Sequence, residues 1–351
     1  MKLSILMPSH RTGLSACSRI LEACSWASDD IEVIVRDNSG DAAKRSFLSQ
    51  IRNKPDNCRI ICVPEDGIYE NMIALMEAAR GDFIFFSADD DLCSRGSINA
   101  VCAAIKQCGD DDSVVGVTGH YLFETTAGSQ LMGYSQVDSP APADRINSYF
   151  ALGLNLIYYS AVRRTTWLEL CRWVGSLPMR FTYLDLVMVV LALLSGRYID
   201  IKRMIYIYDF TGWEGGLKFE KDYALYQAAG IDRSALYLHG LFCAFEGTKV
   251  ILSDLFAKNL TVQERMGAAT RWYQAVLGST VPANPETVLD IYASQLRAKW
   301  LQTQKVDLDT LLADLSDFLD LATEDKAQAL RYREYWSAMR LAPGLEPARK
   351  T

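Results

Sequence analysis

Short apolar runs alternate with longer segments of helical periodicity along the first 125 residues. In the longer segments, apolar side chains recur three or four positions apart, as in an amphipathic helix, while each short run is largely apolar over about five residues. Such runs, each followed by a helix of about 10–15 residues, are typical of a parallel sheet with crossover helices. The pattern predicts strands at 3–7, 31–35, 59–63, 82–86 and 114–123, and helices at 14–26, 41–51, 69–79 and 94–108.

The pattern is less regular from residue 125 to residue 217 and is helical thereafter. Over residues 308–319, leucine and phenylalanine side chains form one apolar stripe at helical spacing. We therefore predict an α/β domain at 1–215 and an all-helical domain at 216–351. In the stretch between them, the pattern predicts a hairpin turn at 128–133, a loop at 139–142, a strand at 154–161, helices at 165–174 and 182–194, and one long strand or a strand pair at 198–210.

The composition narrows the classes of protein that fit the chain. Of its 351 residues, 50% are hydrophobic and 23% are charged, which supports a sizeable core and excludes a disordered chain. The formal net charge of −7 disfavours a general nucleic-acid binder, whose surface is basic. The nine cysteines include no C-x-x-C pair and there are three histidines, so neither a secreted disulfide scaffold nor a structural zinc site is expected.

The sequence contains no apolar run of the length that a membrane span requires. The longest such run, 186–194, has nine residues, whereas a helix needs about 20 to cross a bilayer. The run at 3–7 is too short for a signal peptide, and no small-residue cleavage site follows it. We expect a cytoplasmic protein, and peripheral association with the inner face of the cell membrane stays open.

Polar side chains follow the first four predicted strands at the point where each strand ends, with Glu65 and Asp66 after the third. Ser9 follows the first strand and Asp37 follows the second. Asp89 and Asp91 follow the fourth. Because ligands of such a sheet bind beyond the carboxyl ends of its strands, we expect the functional site at this edge.

The acidic triplet 89–91 is the sharpest chemical signal in the sequence. Three carboxylates directly after an apolar strand repel one another and need a cation or solvent around them. In an extended segment Asp89 and Asp91 point to the same side, and such a pair can hold Mg²⁺ or Mn²⁺. The competing interpretation is an acidic loop leading to the N-cap of the helix that begins near Ser94.

Four segments together resemble family 2 glycosyltransferases of the GT-A fold, over about residues 1–215. Residues 2–10 resemble the family's opening strand and turn, and residues 32–39 resemble its second strand with an acidic end. Residues 67–81 resemble the helix before strand four, and residues 82–91 resemble the strand that carries the D-x-D motif. The resemblance implies a Rossmann-like, mostly parallel sheet with helices on both faces.

The resemblance also implies roles for individual residues. Asp37 would accept a hydrogen bond from the base of a nucleotide-sugar donor, for which uracil is the expected base. Asp91 would ligate Mn²⁺ or Mg²⁺, while Asp89 would lie near both the ribose and the metal, which neutralises the leaving diphosphate. The implied nucleotide-binding set is Pro8, Ser9, Asp37, Asn71 and Asp89, and the implied metal-binding set is Asp89 and Asp91.

A further segment, 182–199, resembles the acidic motif, helix and following strand of the same family. Asp185 takes the place of the family's catalytic acid, so the resemblance implies that it is the base for the acceptor hydroxyl. The competing interpretation is that Asp185 stabilises the N-terminus of an apolar helix. Beyond this segment, a candidate flap over the donor contains Trp213, Gly215 and Gly216, although a domain linker explains these residues equally well.

The sequence predicts a metal-dependent inverting glycosyltransferase with a nucleotide-sugar donor, a UDP-sugar on this interpretation. The expected acceptor is a saccharide or a lipid-linked sugar in bacterial surface polysaccharide synthesis, and a homo-oligomer is compatible with the sequence. One alternative is a nucleotidyltransferase, which would need a glycine-rich basic loop where residues 9–13 contain a single glycine. The other is a non-catalytic carbohydrate-binding or assembly subunit on a GT-A scaffold.

Overall fold

In a computed structural model, the chain folds into two compact units. The first comprises residues 1–175 and 196–212, and the second comprises residues 176–195 and 213–351. The residues that the structure describes are 2–14, 16–52, 54–64, 67–89, 91–109, 111–152, 155–178, 184–211, 235–256, 260–279, 288–302 and 307–345.

Strands and helices alternate along the first half of the first unit, as the sequence predicts. The strands are β1 (Leu3–Ser9), β2 (Ile31–Asp37), β3 (Cys58–Cys62), β4 (Phe83–Phe86), β5 (Val114–Thr125), β6 (Gly128–Met132), β7 (Ala161–Arg163) and β8 (Arg197–Asp209). The helices are α1 (Cys17–Cys24), α2 (Ala42–Ser49), α3 (Ile68–Ala78), α4 (Arg95–Cys108), α5 (Pro142–Leu152) and α6 (Arg164–Gly175).

The described strands form one eight-stranded sheet of mostly parallel topology. Its order is β3-β2-β1-β4-β7-β5-β6, and β8 pairs with β5. The chain moves outward from β1 to β3 and then returns to place β4 on the other side of β1, so the strand order reverses between β1 and β4. Right-handed crossovers then place α1 and α2 on one face and α3 on the other. Ligands of such sheets bind at the point of reversal, beyond the carboxyl ends of the strands.

The central strands are buried on both faces, which explains why their sequences are continuously apolar rather than alternating. In β1, Leu3, Ile5 and Leu6 are fully buried. All four residues of β4 are buried as well. The register pairs β1 with β2 from Leu3 opposite Ile31 to the end of both strands, so their carboxyl ends stop level with each other.

Two predictions for the stretch after residue 125 differ from the structure, and one helix there is unpredicted. The predicted strand at 154–161 is a 3₁₀ helix, Leu156–Tyr159, followed by the short strand β7. A short apolar run fits a buried helical turn as well as a strand, and the turn redirects the chain into β7, which runs antiparallel to β4. The predicted hairpin turn at 128–133 is itself the strand β6, and the predicted loop at 139–142 leads into the unpredicted helix α5.

The second unit is helical in its described residues, as expected from the sequence. Trp272 donates a hydrogen bond from its indole to the carbonyl of Cys243 at 2.8 Å, and Arg265 donates to the carbonyls of Ile251 and Ser253. These bonds satisfy buried polar groups where two helices pack and where one of them ends. The helices are α7 (Leu184–Ser195), α8 (Ala235–Leu252), α9 (Val262–Ser279), α10 (Val288–Gln302), α11 (Leu308–Ala322) and α12 (Lys326–Ala338). Within the described ranges, no helix has the length and apolar character to cross a bilayer.

A buried carboxylate near the amino ends of β1 and β2 stabilises the first unit. Glu32 accepts hydrogen bonds from Ser4 Oγ at 2.5 Å and from the backbone N–H groups of Arg80 and Gly81, and it forms an ion pair with Arg59 at 3.1 Å. Burial by itself would raise the pKa of Glu32. The hydrogen bonds from Ser4 and Arg80, with the charge of Arg59, outweigh that effect and lower the pKa below its usual value.

This lowered pKa predicts an acid-sensitive contribution to stability. A carboxylate with a depressed folded pKa stabilises the protein above its unfolded pKa of about 4.3 and loses that contribution as the pH falls through the folded pKa. We expect Glu32→Gln to lower the free energy of unfolding by about 1–3 kcal/mol at pH 7 and to flatten its decline between pH 5 and pH 3. Thermal unfolding at several pH values measures both effects, and parallel curves for the two proteins would contradict the assignment.

Candidate functional site

A buried lysine connects polar groups at the strand ends where the sequence places the site. Lys44, in the first turn of α2, has a side chain that is 0% exposed. Its Nζ lies 2.9 Å from Asp37 Oδ1 at the end of β2 and 2.7 Å from Ser9 Oγ at the end of β1. A third contact, at 2.7 Å, is with the carbonyl oxygen of Arg11.

The same cluster extends to Asp89, after β4. Ser9 Oγ donates a hydrogen bond to Asp89 Oδ2 at 2.6 Å, and Lys44 Nζ lies 3.7 Å from that oxygen. Asp37, Ser9 and Asp89 are all buried. The structure therefore brings three of the predicted nucleotide-site residues together around the ammonium group of Lys44. The cluster lies where the strand order reverses, between β1 and β4.

The position of Lys44 is fixed by the start of its helix. Asp41 caps α2 by accepting hydrogen bonds from the backbone N–H groups of Ala43 and Lys44. It also accepts from the N–H of Gly13 at 2.6 Å, which joins the loop after β1 to the helix. These backbone hydrogen bonds, that from Gly13 first, lower the pKa of Asp41.

Asp91 has different partners from Asp89. Its carboxylate accepts a hydrogen bond from the Tyr206 hydroxyl at 3.0 Å and one from the backbone N–H of Asp209 at 3.2 Å, both on β8. Burial raises the pKa of Tyr206 well above its usual value, so this hydroxyl stays protonated and donates a hydrogen bond to Asp91. β8 therefore anchors the acidic segment that follows β4.

Two further predicted nucleotide-site residues lie along β1 and next to β2. Asn71, on α3, donates a hydrogen bond to Asn38 Oδ1 at 3.0 Å and accepts one from Arg36 Nη1 at 2.7 Å. Pro8 lies opposite Arg36 in the β1–β2 register, one position before Ser9. Asn71 thus contacts the residues on either side of Asp37.

A row of aromatic side chains leads away from Asp91 along β8. Tyr159 stacks on Tyr206 with ring centroids 4.7 Å apart, and it lies 5.2 Å from Tyr208. The row continues through Phe123, whose ring is 5.9 Å from that of Tyr208 and 5.0 Å from that of Phe210. These side chains are brought together by the pairing of β5 with β8, which sequence reasoning did not anticipate.

The remaining predicted site residues lie partly or wholly outside the part of the chain that the structure describes. Asp185 is the second residue of α7, in the second unit, and its side chain is outside the described residues. Trp213, Gly215 and Gly216, the candidate flap, lie entirely outside them.

The chemistry of Asp89 fits a divalent cation. Its Oδ1 is buried and has no hydrogen-bond partner in the part of the chain that the structure describes. The same described residues contain no group of three or more His, Cys, Asp or Glu side chains arranged around a common point. Mg²⁺ is commonly held by one or two carboxylates and completed by substrate phosphates and water, and the free oxygen of Asp89 suits that arrangement.

Comparison with known proteins agrees with the fold. Residues 4–168 match the family model described as glycosyl transferase family 2. A crystal structure of TarS residues 1–349 from S. aureus is similar in fold, with 14% identity, a TM-score of 0.52, and coverage of 96% of this chain and 90% of that one. A second TarS structure, in complex with UDP-GlcNAc, shows 13% identity, a TM-score of 0.50, and coverage of 96% and 91%. No curated protein sequence matches the chain.

The predicted fold class and enzyme class are both confirmed. The mixed, mostly parallel sheet has the GT-A architecture, and a helical region follows it. The family match covers β1 to β7, including the strand ends that carry Ser9, Asp37 and Asp89. Residues 4–168 are therefore a glycosyl transferase family 2 domain, and the protein is a glycosyltransferase.

Proposed function

We propose that the protein is a metal-dependent, inverting glycosyltransferase that takes its sugar from a UDP-linked donor. The observation that carries this proposal is the buried cluster of Ser9, Asp37 and Asp89 around Lys44. It lies where a doubly wound sheet binds nucleotides, and it offers carboxylate oxygens to a base on one side and to a cation on the other. The TarS complex with UDP-GlcNAc supports UDP as the nucleotide.

The base end of the donor site is formed by the end of β2. Asp37 accepts the imide N–H of uracil, a charge-assisted hydrogen bond to a group that cytosine lacks. Pro8 and Ser9 line the base pocket from β1, and Asn71 holds the neighbouring Asn38 and Arg36 in place.

The diphosphate end of the donor site is formed by the segment after β4. Asp89 and Asp91 hold Mn²⁺ or Mg²⁺, which when bound neutralises the charge of the departing diphosphate. Asp89 contributes its buried Oδ1, which has no hydrogen-bond partner within the described ranges, and Tyr206 orients the carboxylate of Asp91.

The acceptor hydroxyl needs a base on the face of the sugar opposite the diphosphate, and we assign that role to Asp185. Trp213, Gly215 and Gly216 are assigned to a flap over the bound donor.

The proposed acceptor is a saccharide or a lipid-linked sugar of bacterial surface polysaccharide synthesis. The enzyme that uses it is proposed to be cytoplasmic and peripheral to the inner face of the membrane. The proposed catalytic domain is 1–215, a range that includes α7 of the second unit, and the proposed helical domain is 216–351. The enzyme is proposed to act as a homo-oligomer.

A nucleotide-binding experiment tests the donor assignment. We expect Asp37→Ala to weaken UDP binding by about 1–3 kcal/mol, the loss of one charge-assisted hydrogen bond to the base. Calorimetry with UDP and with inorganic pyrophosphate, each in the presence of Mn²⁺, separates base recognition from phosphate binding. Asp56→Ala, which removes an exposed carboxylate outside the site, is the matched control.

The donor class is tested in parallel by the release of UDP or GDP from a panel of nucleotide sugars. Equal losses of affinity for UDP and for pyrophosphate in Asp37→Ala would refute base recognition by Asp37. Binding of GDP in preference to UDP by the unaltered protein would refute the uracil assignment.

A further inference from the structure

The donor site contains a lysine whose ammonium group is surrounded by oxygens of the protein. Lys44 Nζ donates hydrogen bonds to Ser9 Oγ and to the carbonyl oxygen of Arg11, and it forms an ion pair with Asp37 Oδ1 at 2.9 Å. The side chain is fully enclosed, so a nucleotide reaching the strand ends meets the partners of Lys44 rather than Lys44 itself. Any role of this lysine in binding must act through those partners.

Burying this charge has no packing explanation. Lys44 and Leu48 are the two buried residues of α2, one helical turn apart, and a second apolar side chain at position 44 would cover the sheet without the desolvation cost of an ammonium group. The lysine instead faces two buried carboxylates, Asp37 and Asp89, whose charges exceed its own by one.

Lys44 also links side chains at the ends of two strands that are not neighbours in the sheet. Asp37 ends β2 and Asp89 follows β4, and both strands flank β1 in the sheet. Neighbouring strands are about 4.8 Å apart, so the two strand ends are about 10 Å from each other. Lys44 contacts the first carboxylate directly and reaches the second through the Ser9 hydroxyl, which accepts from Lys44 and donates to Asp89.

We propose that Lys44 is the positioning residue of the donor site, an inference that rests on the proposed function. Its single charge holds Asp37 toward the base and, through Ser9, holds Asp89 toward the diphosphate. The two ends of the donor are therefore recognised by carboxylates that share one internal cation, and both ends weaken together when that cation is removed.

The test uses Lys44→Met, which keeps an unbranched side chain one heavy atom shorter and removes the charge. The binding probes are uridine alone, for the base end, and inorganic pyrophosphate with Mn²⁺, for the other end. We expect Lys44→Met to weaken each probe by about tenfold or more, the effect of losing a hydrogen bond to a charged group. Lys106→Met is the matched control, because Lys106 forms an ion pair with Asp30 at the surface, away from the site.

A second variant separates positioning from stability. Lys44→Met leaves two buried carboxylates without their cation, and adding Asp89→Asn removes one of those charges, so the double variant is expected to recover part of the lost melting temperature. A positioning role predicts that uridine binds at least about tenfold more weakly to the double variant than to Asp89→Asn alone, because Asp37 still lacks its partner. If Lys44→Met alone does not fold, this comparison still shows whether Lys44 positions Asp37 or only stabilises the fold.

Equal uridine affinity in the double variant and in Asp89→Asn would overturn the inference and leave Lys44 a structural residue only. That result differs from failure of the proposed function, in which the unaltered protein binds neither UDP nor uridine and the inference falls with it.

Discussion

Replacing Asp185 by asparagine is expected to lower turnover by about 10²–10⁴-fold while leaving donor binding unchanged, the usual effect of removing a general base. Position 185 lies in the first turn of α7, where a carboxylate is also favoured by the helix dipole. Asparagine caps a helix almost as well as aspartate but cannot accept the proton of the acceptor hydroxyl. The substitution therefore removes the proposed chemistry and preserves the alternative structural role.

The matched variant is Asp185→Ala, which removes both the base and any capping hydrogen bond. Initial rates with saturating donor, UDP affinity by calorimetry and the melting temperature are measured for both variants. Near-normal turnover of Asp185→Asn, combined with a lower melting temperature of Asp185→Ala, would identify Asp185 as a helix cap and leave the catalytic base to be found elsewhere.

Replacing Asp89 by asparagine is expected to weaken Mn²⁺-dependent UDP binding by about 10–100-fold. The carboxylate of Asp89 receives a hydrogen bond from Ser9 on one oxygen, and its other oxygen has no hydrogen-bond partner among the described residues. An amide at this position retains the bond to Ser9 but loses the negative charge that attracts the cation. Titrations of UDP with and without Mn²⁺ measure the effect.

Asp91→Asn provides an informative comparison, because Asp91 is also the anchor of its segment to β8. We expect a similar loss of Mn²⁺-dependent UDP affinity, with an additional decrease in melting temperature from the weakened bonds to Tyr206 and Asp209. Asp82→Asn, at the exposed opposite end of β4, is the control. If Asp89→Asn bound UDP with Mn²⁺ as tightly as the unaltered protein, Asp89 would not be a metal ligand.

The first four strands could be predicted because each is a largely apolar run between helices of clear periodicity. Burial on both faces makes β1, β2 and β4 predominantly apolar, and the buried Ser4 and Glu32 are hydrogen-bonded to each other, so the strand bounds are visible in the sequence to within a few residues. The site could be located for a related reason, since parallel strands bring their carboxyl ends to the same edge. Ser9, Asp37 and Asp89 were therefore predicted as neighbours without any knowledge of their contacts.

Features that depend on contacts distant in sequence could not be predicted in this way. The antiparallel entry of β7 between β4 and β5 follows from pairing across more than 40 residues, for which a three-residue strand carries no local signal. Lys44 was missed because a lysine in a short helix is ordinarily solvated. The available signal was its position one turn before Leu48, on the apolar side of α2, with acidic residues ending the neighbouring strands.

The late position of β8 in the chain constrains how the first unit can form during synthesis. β8 pairs with β5 along most of its length, and it supplies the hydrogen bonds from Tyr206 and Asp209 to Asp91. A nascent chain that has emerged only as far as α6 can assemble β1 to β4 but exposes an unpaired flank of β5, and long-range pairing of this kind is slow and prone to aggregation. A fragment ending at residue 175 would therefore contain the whole family 2 domain and still leave the acidic segment without the hydrogen bonds that β8 supplies.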